Sequence, residues 1–157
     1  MKNLIYILTL LSFTSCKTNK IKTMNPTGTY ELGNFNPDLE KETTGYFGLI
    51  QVKRFAKNKI IMTFMINKGA PSFNSGSFVD TLEYKSDRAI YKNTEFDPSC
   101  EITFDFSVNG VTVKEKTDDY NSGCGFGHAV VANGFFQKTS YKKPILREPI
   151  TDEPIEK

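Results

Sequence analysis

The sequence of 157 residues has no tryptophan, one histidine, three cysteines and almost no net charge. A single histidine excludes most zinc sites and most acid–base chemistry that relies on imidazole. A formal charge of +2 argues against nucleic-acid binding, which calls for a basic surface. Aromatic residues make up 13% of the chain, which argues against a wholly disordered protein, and the length fits one domain with a hydrophobic core.

Long apolar stretches are absent, apart from a short one near the N-terminus. Lys2 is followed by an apolar run over residues 4–11. A run of about ten residues is too short for a permanent membrane helix, which needs about 20. A positive start, a short apolar run and small polar residues are typical of an export signal. Residues 1–15 are therefore predicted to be a cleaved signal peptide.

The residues after this run, Phe13-Thr14-Ser15-Cys16, resemble the lipobox of bacterial lipoprotein precursors. Thr14 and Ser15 fit that motif, whereas Phe13 stands where leucine, valine or isoleucine is usual. The resemblance implies that Cys16 becomes the mature N-terminus and carries lipid, and more than one acyl chain gives stable anchoring. Because Lys17 and not an aspartate follows Cys16, it also implies the outer membrane.

From Gly28 onward, apolar and polar residues alternate with the period of β-strands. Asn109-Gly110 predicts a tight hairpin in which Val108 pairs with Val111. Asn133-Gly134 is interpreted as a bulge within the last strand, and residues 36–40 predict one or two helical turns. Strands are predicted over residues 28–32, 45–55, 59–66, 78–84, 89–92, 101–108, 111–115 and 127–137.

About eight antiparallel strands in sequence order predict an all-β fold, because a sheet of that size closes into a barrel. Gly28-Thr29-Tyr30 followed by a meander resembles small lipocalin-like barrels, which usually carry a tryptophan at this point. A two-sheet β-sandwich is the alternative. The expected organisation is a lipidated tether over 16–27, a barrel domain over 28–138 and a Pro-Ile repeat tail over 139–157, extended or disordered.

Cys100 and Cys124 remain once Cys16 is assigned to lipid. Disulfides persist in exported proteins, and the predicted strand order brings both cysteines to the same end of the sheet. We therefore expect them to form a disulfide. Two thiols without further ligands fall short of a zinc site, and no metal or cofactor is predicted.

The segment around Cys124 is the candidate binding loop, with Asp119, Tyr120, Phe126 and His128 as candidate contact residues. Glycines at 123, 125 and 127 indicate unusual backbone angles or a close approach of another segment. In one interpretation Tyr120 and Phe126 face a partner. In the other, a disulfide-pinned turn places Phe126 as a plug in the end of the barrel.

No catalytic motif is present in the sequence: the nucleophile elbow, the phosphate loop and the dinucleotide fingerprint are all missing. We therefore expect a non-enzymatic, lipid-anchored binding module of the bacterial envelope, which binds a protein or a small ligand through loops at the barrel mouth. One alternative is a carrier that holds a small apolar ligand in the barrel interior. Another is a hydrolase that uses acidic residues.

Overall fold

The structure is a computed structural model that describes residues 23–33 and 44–155. Eight antiparallel strands follow one another around a closed barrel, and the last strand pairs with the first. The prediction of an all-β, lipocalin-like barrel is confirmed, and closure excludes the two-sheet sandwich. The predicted signal peptide, Cys16 and the predicted helical turns at 36–40 lie outside the described residues.

The strand bounds follow the alternation of the sequence closely over the first seven strands. They are β1 (Gly28–Leu32), β2 (Phe47–Ala56), β3 (Lys59–Asn67), β4 (Ser75–Lys85), β5 (Arg88–Tyr91), β6 (Glu101–Phe106), β7 (Gly110–Lys116) and β8 (Gly134–Ser140).

The last strand is shorter and later than predicted. Residues 127–133 are not part of β8, and the predicted bulge at Asn133-Gly134 is wrong. The Asn133 side chain accepts a hydrogen bond from the Glu115 amide, so it ends the loop before β8 instead of bending a strand. The loop that contains His128 therefore reaches as far as Asn133.

The hairpin between β6 and β7 is shifted by two residues. Phe106 pairs with Val111 and Phe104 with Val113, and Val108 is 69% exposed in the turn. The predicted pairing of Val108 with Val111 is therefore wrong. A shift of two residues keeps the same side chains on the inner face, so the apolar pattern could not distinguish the two registers.

Aromatic side chains fill the middle of the barrel. Phe64 on β3 is fully buried and lies at the centre of the group. Its ring centroid is 5.2–6.0 Å from those of four other phenylalanines: Phe78, Phe104, Phe126 and Phe136. Side chains, and not a ligand-sized space, occupy this level of the interior.

The strand connections alternate between two barrel ends. We call one end the mouth; its described part comprises residues 33 and 44–46 between β1 and β2 and the connections 68–74, 92–100 and 117–133. The other end, the N-terminal end, is formed by segments 23–27 and 141–143 and by the turns at 57–58, 86–87 and 107–109.

The chain enters the barrel across the N-terminal end and is fastened there. The Met24 amide donates to Asp87, the Arg54 guanidinium donates to the Met24 carbonyl, and the Tyr30 hydroxyl donates to the Pro26 carbonyl. Residues 24–27, which were expected to belong to the tether, are thus part of the folded domain.

The tail folds back on itself instead of extending away. The Ile155 amide donates to the Leu146 carbonyl, and Arg147 pairs with Asp152. Leu146 is buried, as are Ile61 and Thr63 on the outer face of β3. A cavity of about 120 Å³ lies between this part of the tail and the outer faces of β2 and β3. Because the tail lies beside the outer face of β3, this strand can carry buried residues on both of its faces.

Candidate binding surface at the barrel mouth

A disulfide joins two connections of the mouth. Cys100 and Cys124 are bonded, with their Cα atoms 5.0 Å apart, which confirms the predicted pairing. Both residues are 1% exposed. A bridge with a sequence separation of 24 lowers the entropy of the unfolded chain and stabilises the fold by about 3 kcal/mol. The long 117–133 connection is thereby fixed to the end of the 92–100 connection.

Phe126 lies inside the mouth. Only 8% of it is exposed, and its ring stacks on Phe64 at 6.0 Å. Gly76 on β4 makes room for this ring, because a Cβ at that position would lie 2.2 Å from it. Phe126 fills the end of the barrel and offers little surface to a partner.

Asp97 joins the 92–100 connection of the mouth to the 117–133 connection. Its carboxylate accepts hydrogen bonds from the Ser99 amide and hydroxyl, from the Thr117 hydroxyl and from the Cys124 amide. The hydroxyl hydrogen bonds of Ser99 and Thr117 are the main cause that lowers the pKa of Asp97 to about 2. The group is ionised at neutral pH and acts here as a structural acceptor.

The other candidate residues of the loop differ in their surroundings. Asp119 accepts hydrogen bonds from the Ser122 hydroxyl and the Asn121 amide; the first of these is the main cause that lowers its pKa. It therefore closes a local turn. Tyr120 is 49% exposed, and His128 is exposed as well. These two remain accessible to a partner.

Each of the four mouth connections carries an exposed aromatic side chain. Three of them were not among the candidate residues, because no local motif marks them. The four, which we call the aromatic rim, are Tyr46, Phe73, Phe96 and Tyr120, exposed by 37%, 39%, 78% and 49%. Tyr46 is also fixed in place, since its hydroxyl donates to the Ala129 carbonyl and accepts from the Val131 amide.

Glu115 on β7 is a buried carboxylate near the mouth and was also missed. It is 7% exposed; its Oε2 accepts from the Ala132 amide, whereas no partner is found for its Oε1. Burial raises the pKa of Glu115, and the hydrogen bond from Ala132 opposes that shift. Its burial has a signal in the sequence, because Glu115 follows Val111 and Val113 on the same face of β7.

A groove opens on the side wall where β4 and β5 diverge. Only Tyr84–Ala89 and Lys85–Arg88 pair between these strands. The groove has a volume of about 620 Å³, and Leu82, Ala89 and Ile90 supply apolar lining.

One edge of this groove is open backbone. The Tyr84 amide donates to Asn58 on the β3 side. The amides of alternate residues therefore face the other way, so those of Glu83 and Val79 point towards the groove, while the Thr81 amide donates to the Asp80 side chain.

Two further properties concern the described residues alone. Within 23–33 and 44–155, no three side chains of the types that ligate metals come together. Over the same residues, no helix is long and apolar enough to cross a membrane.

Comparisons with known proteins give no relative. No protein-family model, no curated protein and no solved structure matches the chain. The geometry of the barrel is therefore the basis for assigning a function.

Proposed function

We propose that this protein is an exported, lipid-anchored module of the bacterial cell envelope that binds a partner protein through the barrel mouth. The observation that carries the proposal is the aromatic rim: four separate connections each place one exposed aromatic side chain at the same end. Aromatic residues are enriched where proteins bind one another, because they bury a large area at little cost in conformational entropy.

The filled interior favours a surface partner over an enclosed ligand. Phe64 and its four phenylalanine neighbours occupy the space that a lipocalin-like carrier needs for cargo. The disulfide and Asp97 join the 92–100 and 117–133 connections, and Tyr46 is hydrogen-bonded to the second of these. A rim held in this way loses little freedom on binding, which favours affinity.

The position of the mouth suits a lipid anchor at Cys16. The chain enters at the N-terminal end, where Met24 is fastened, and the mouth lies at the opposite end. An anchored barrel would therefore present the aromatic rim away from the bilayer.

A photo-crosslinking experiment in living cells tests the site. A crosslinking amino acid at Tyr120 is expected to give discrete adducts with another protein, and Phe96→Ser in the same chain should abolish them. The matched control is Phe135→Ser, an exposed phenylalanine on the outer face of β8 that belongs to neither end of the barrel. Adducts that survive Phe96→Ser, or no adducts from Tyr120, would contradict binding through the rim.

The proposed lipid anchor at Cys16 needs a separate test. Cys16→Ser should move the protein from the membrane fraction to the soluble fraction, because it removes the site of lipid attachment. Unchanged fractionation would refute lipid anchoring and would leave the crosslinking result unaffected.

The groove between β4 and β5 is the second candidate site. An exposed strand edge binds an extended segment through backbone hydrogen bonds, and apolar pockets beside it add specificity. A crosslinker at Ile90, which is 41% exposed, reports on it. Adducts from Ile90 and none from Tyr120 would move the proposed site to the groove.

A further inference from the structure

Exposed lysines gather at the N-terminal end of the barrel. They are Lys57, Lys142 and Lys143 in its connecting segments and Lys59 and Lys85 at the adjoining ends of β3 and β4. The acidic groups nearby are mostly engaged. Asp87 accepts from the Met24 amide and the Tyr84 hydroxyl, and Asp105 pairs with Arg88. Glu83 lies opposite Lys59 across the strands and offsets that one charge.

The mouth has the opposite balance over its described connections. These contain four acidic residues, Glu95, Asp97, Asp118 and Asp119. Their two lysines are Lys68 and Lys92, and Lys92 pairs with Glu101 at 3.1 Å. At the adjoining strand ends, Lys116 lies opposite Glu101, so these two charges offset each other. The barrel therefore has a basic end and an acidic end.

Apolar side chains stand among the lysines of the basic end. Phe55 is 57% exposed, Val108 is 69% exposed and Tyr141 is 69% exposed. The Tyr141 hydroxyl donates to the Val108 carbonyl, so the Tyr141 side chain reaches the turn that carries Val108. Aromatic rings beside lysines are the combination found at the headgroup level of membranes.

The proposed lipid would lie close to this same end. Cys16 precedes Thr23, the first described residue, by seven positions. A fully extended chain of that length reaches at most about 25 Å. Its far end is fastened at Met24, between the turn at Asp87 and the side chain of Arg54.

We infer that the N-terminal end of the barrel docks onto the anionic headgroups of a phospholipid bilayer, so that the domain stands upright with its mouth away from the membrane. The inference rests on the proposed lipid anchor for its setting. The charges and the exposed apolar side chains that carry it belong to the barrel itself.

Vesicle flotation tests this docking without the lipid. The chain from Lys17 to Lys157 contains every strand pairing of the barrel. It is expected to float with vesicles that contain phosphatidylglycerol and to stay in the soluble fraction with phosphatidylcholine alone. Binding should weaken as salt is raised, because counterions screen exposed charges.

Two triple variants locate the contact. Lys57→Gln, Lys142→Gln and Lys143→Gln together should weaken binding roughly a hundredfold, at about fivefold for each lysine near the surface. Lys68→Gln, Lys114→Gln and Lys116→Gln remove the same charge elsewhere and should leave binding nearly unchanged. In a further variant, Phe55→Ser with Tyr141→Ser should weaken binding without altering its dependence on salt.

Equal losses in the two triple variants would overturn the inference, since they would reflect net charge alone. Equal binding to both kinds of vesicle would also overturn it. Neither outcome depends on Cys16, which this chain lacks, so the Cys16→Ser fractionation test keeps failure of the anchor distinct from failure of the docking face.

Discussion

Two carboxylates near the mouth show how local surroundings shift the pKa of an acidic side chain in opposite directions. Asp97 receives hydrogen bonds from two hydroxyls and two amides, which lower its pKa to about 2. Glu115 receives one amide hydrogen bond and is buried, and burial raises its pKa. Both are ordinary acidic residues in the sequence; the difference arises from the loops that close over them.

Glu115 should make the stability of the fold depend on pH. Its pKa is raised in the folded state, so the folded protein binds this proton more tightly than the unfolded chain. The resulting stability is complete below the unfolded pKa of about 4.3 and is lost as the pH rises through the folded pKa. The side chain in Glu115→Gln does not ionise, so the free energy of unfolding of this variant should fall less as the pH rises through that window.

Urea unfolding of the two proteins across this pH range measures the effect. The difference between their free energies of unfolding is the relevant quantity, because other titrating groups are shared and cancel. Curves that stay parallel from acid to neutral pH would contradict a buried, proton-binding Glu115.

At the scale of elements, the fit of the 117–133 connection into the barrel depends on one missing Cβ. In Gly76→Ala the new methyl group would lie 2.2 Å from the Phe126 ring, so the ring must leave its site. We expect a loss of stability of several kcal/mol, comparable to the 3–5 kcal/mol of a buried Phe→Ala change. Denaturant midpoints of Gly76→Ala, Phe126→Ala and the double variant measure it.

The double variant provides the control for this clash. Once Phe126 is truncated, the alanine at position 76 no longer meets a ring, so the two losses should not add. Additive losses would show that Gly76 is needed for some reason other than the room it leaves for the Phe126 ring.

The tail is held by Leu146 and not by the isoleucines next to it. Leu146 is 4% exposed, whereas Ile145 and Ile150 are 70% and 81% exposed. Leu146→Ala should cost about 2–4 kcal/mol of unfolding free energy, and Ile145→Ala should change it by less than about 0.5 kcal/mol. Thermal or urea unfolding distinguishes the two; equal effects would mean that the tail does not pack on the barrel.

Individual elements were predictable where the period of two was clear. β1 begins and ends where its alternation does, and β6 and β7 present the expected inner faces. The hairpin register between them was not predictable, because Asn109-Gly110 fits two turns that bury the same side chains. The Pro-Ile repeat did not indicate the buried residue of the tail, because Leu146 lies between two Pro-Ile pairs and is not part of the repeated pair.

For the whole molecule, closure of the barrel followed from the number and order of strands, and the disulfide followed from the end at which each strand begins. The aromatic rim did not follow, because it brings together Tyr46, Phe73, Phe96 and Tyr120 from segments far apart in sequence. No local pattern marks such residues, and only the folded barrel places them at one end.

The packing of the whole barrel decides whether its interior has room for a ligand. Phe64 lies within 6.0 Å of four other rings, and its removal would leave an apolar cavity near the centre. Phe64→Ala should lower the free energy of unfolding by about 3–5 kcal/mol. A dry apolar cavity of this kind binds benzene, so benzene should raise the Tm of the variant by mass action and leave that of the parent protein unchanged. A rise in the Tm of the parent with benzene would mean that its interior already has room for a small apolar molecule, and it would restore the carrier as the better proposal.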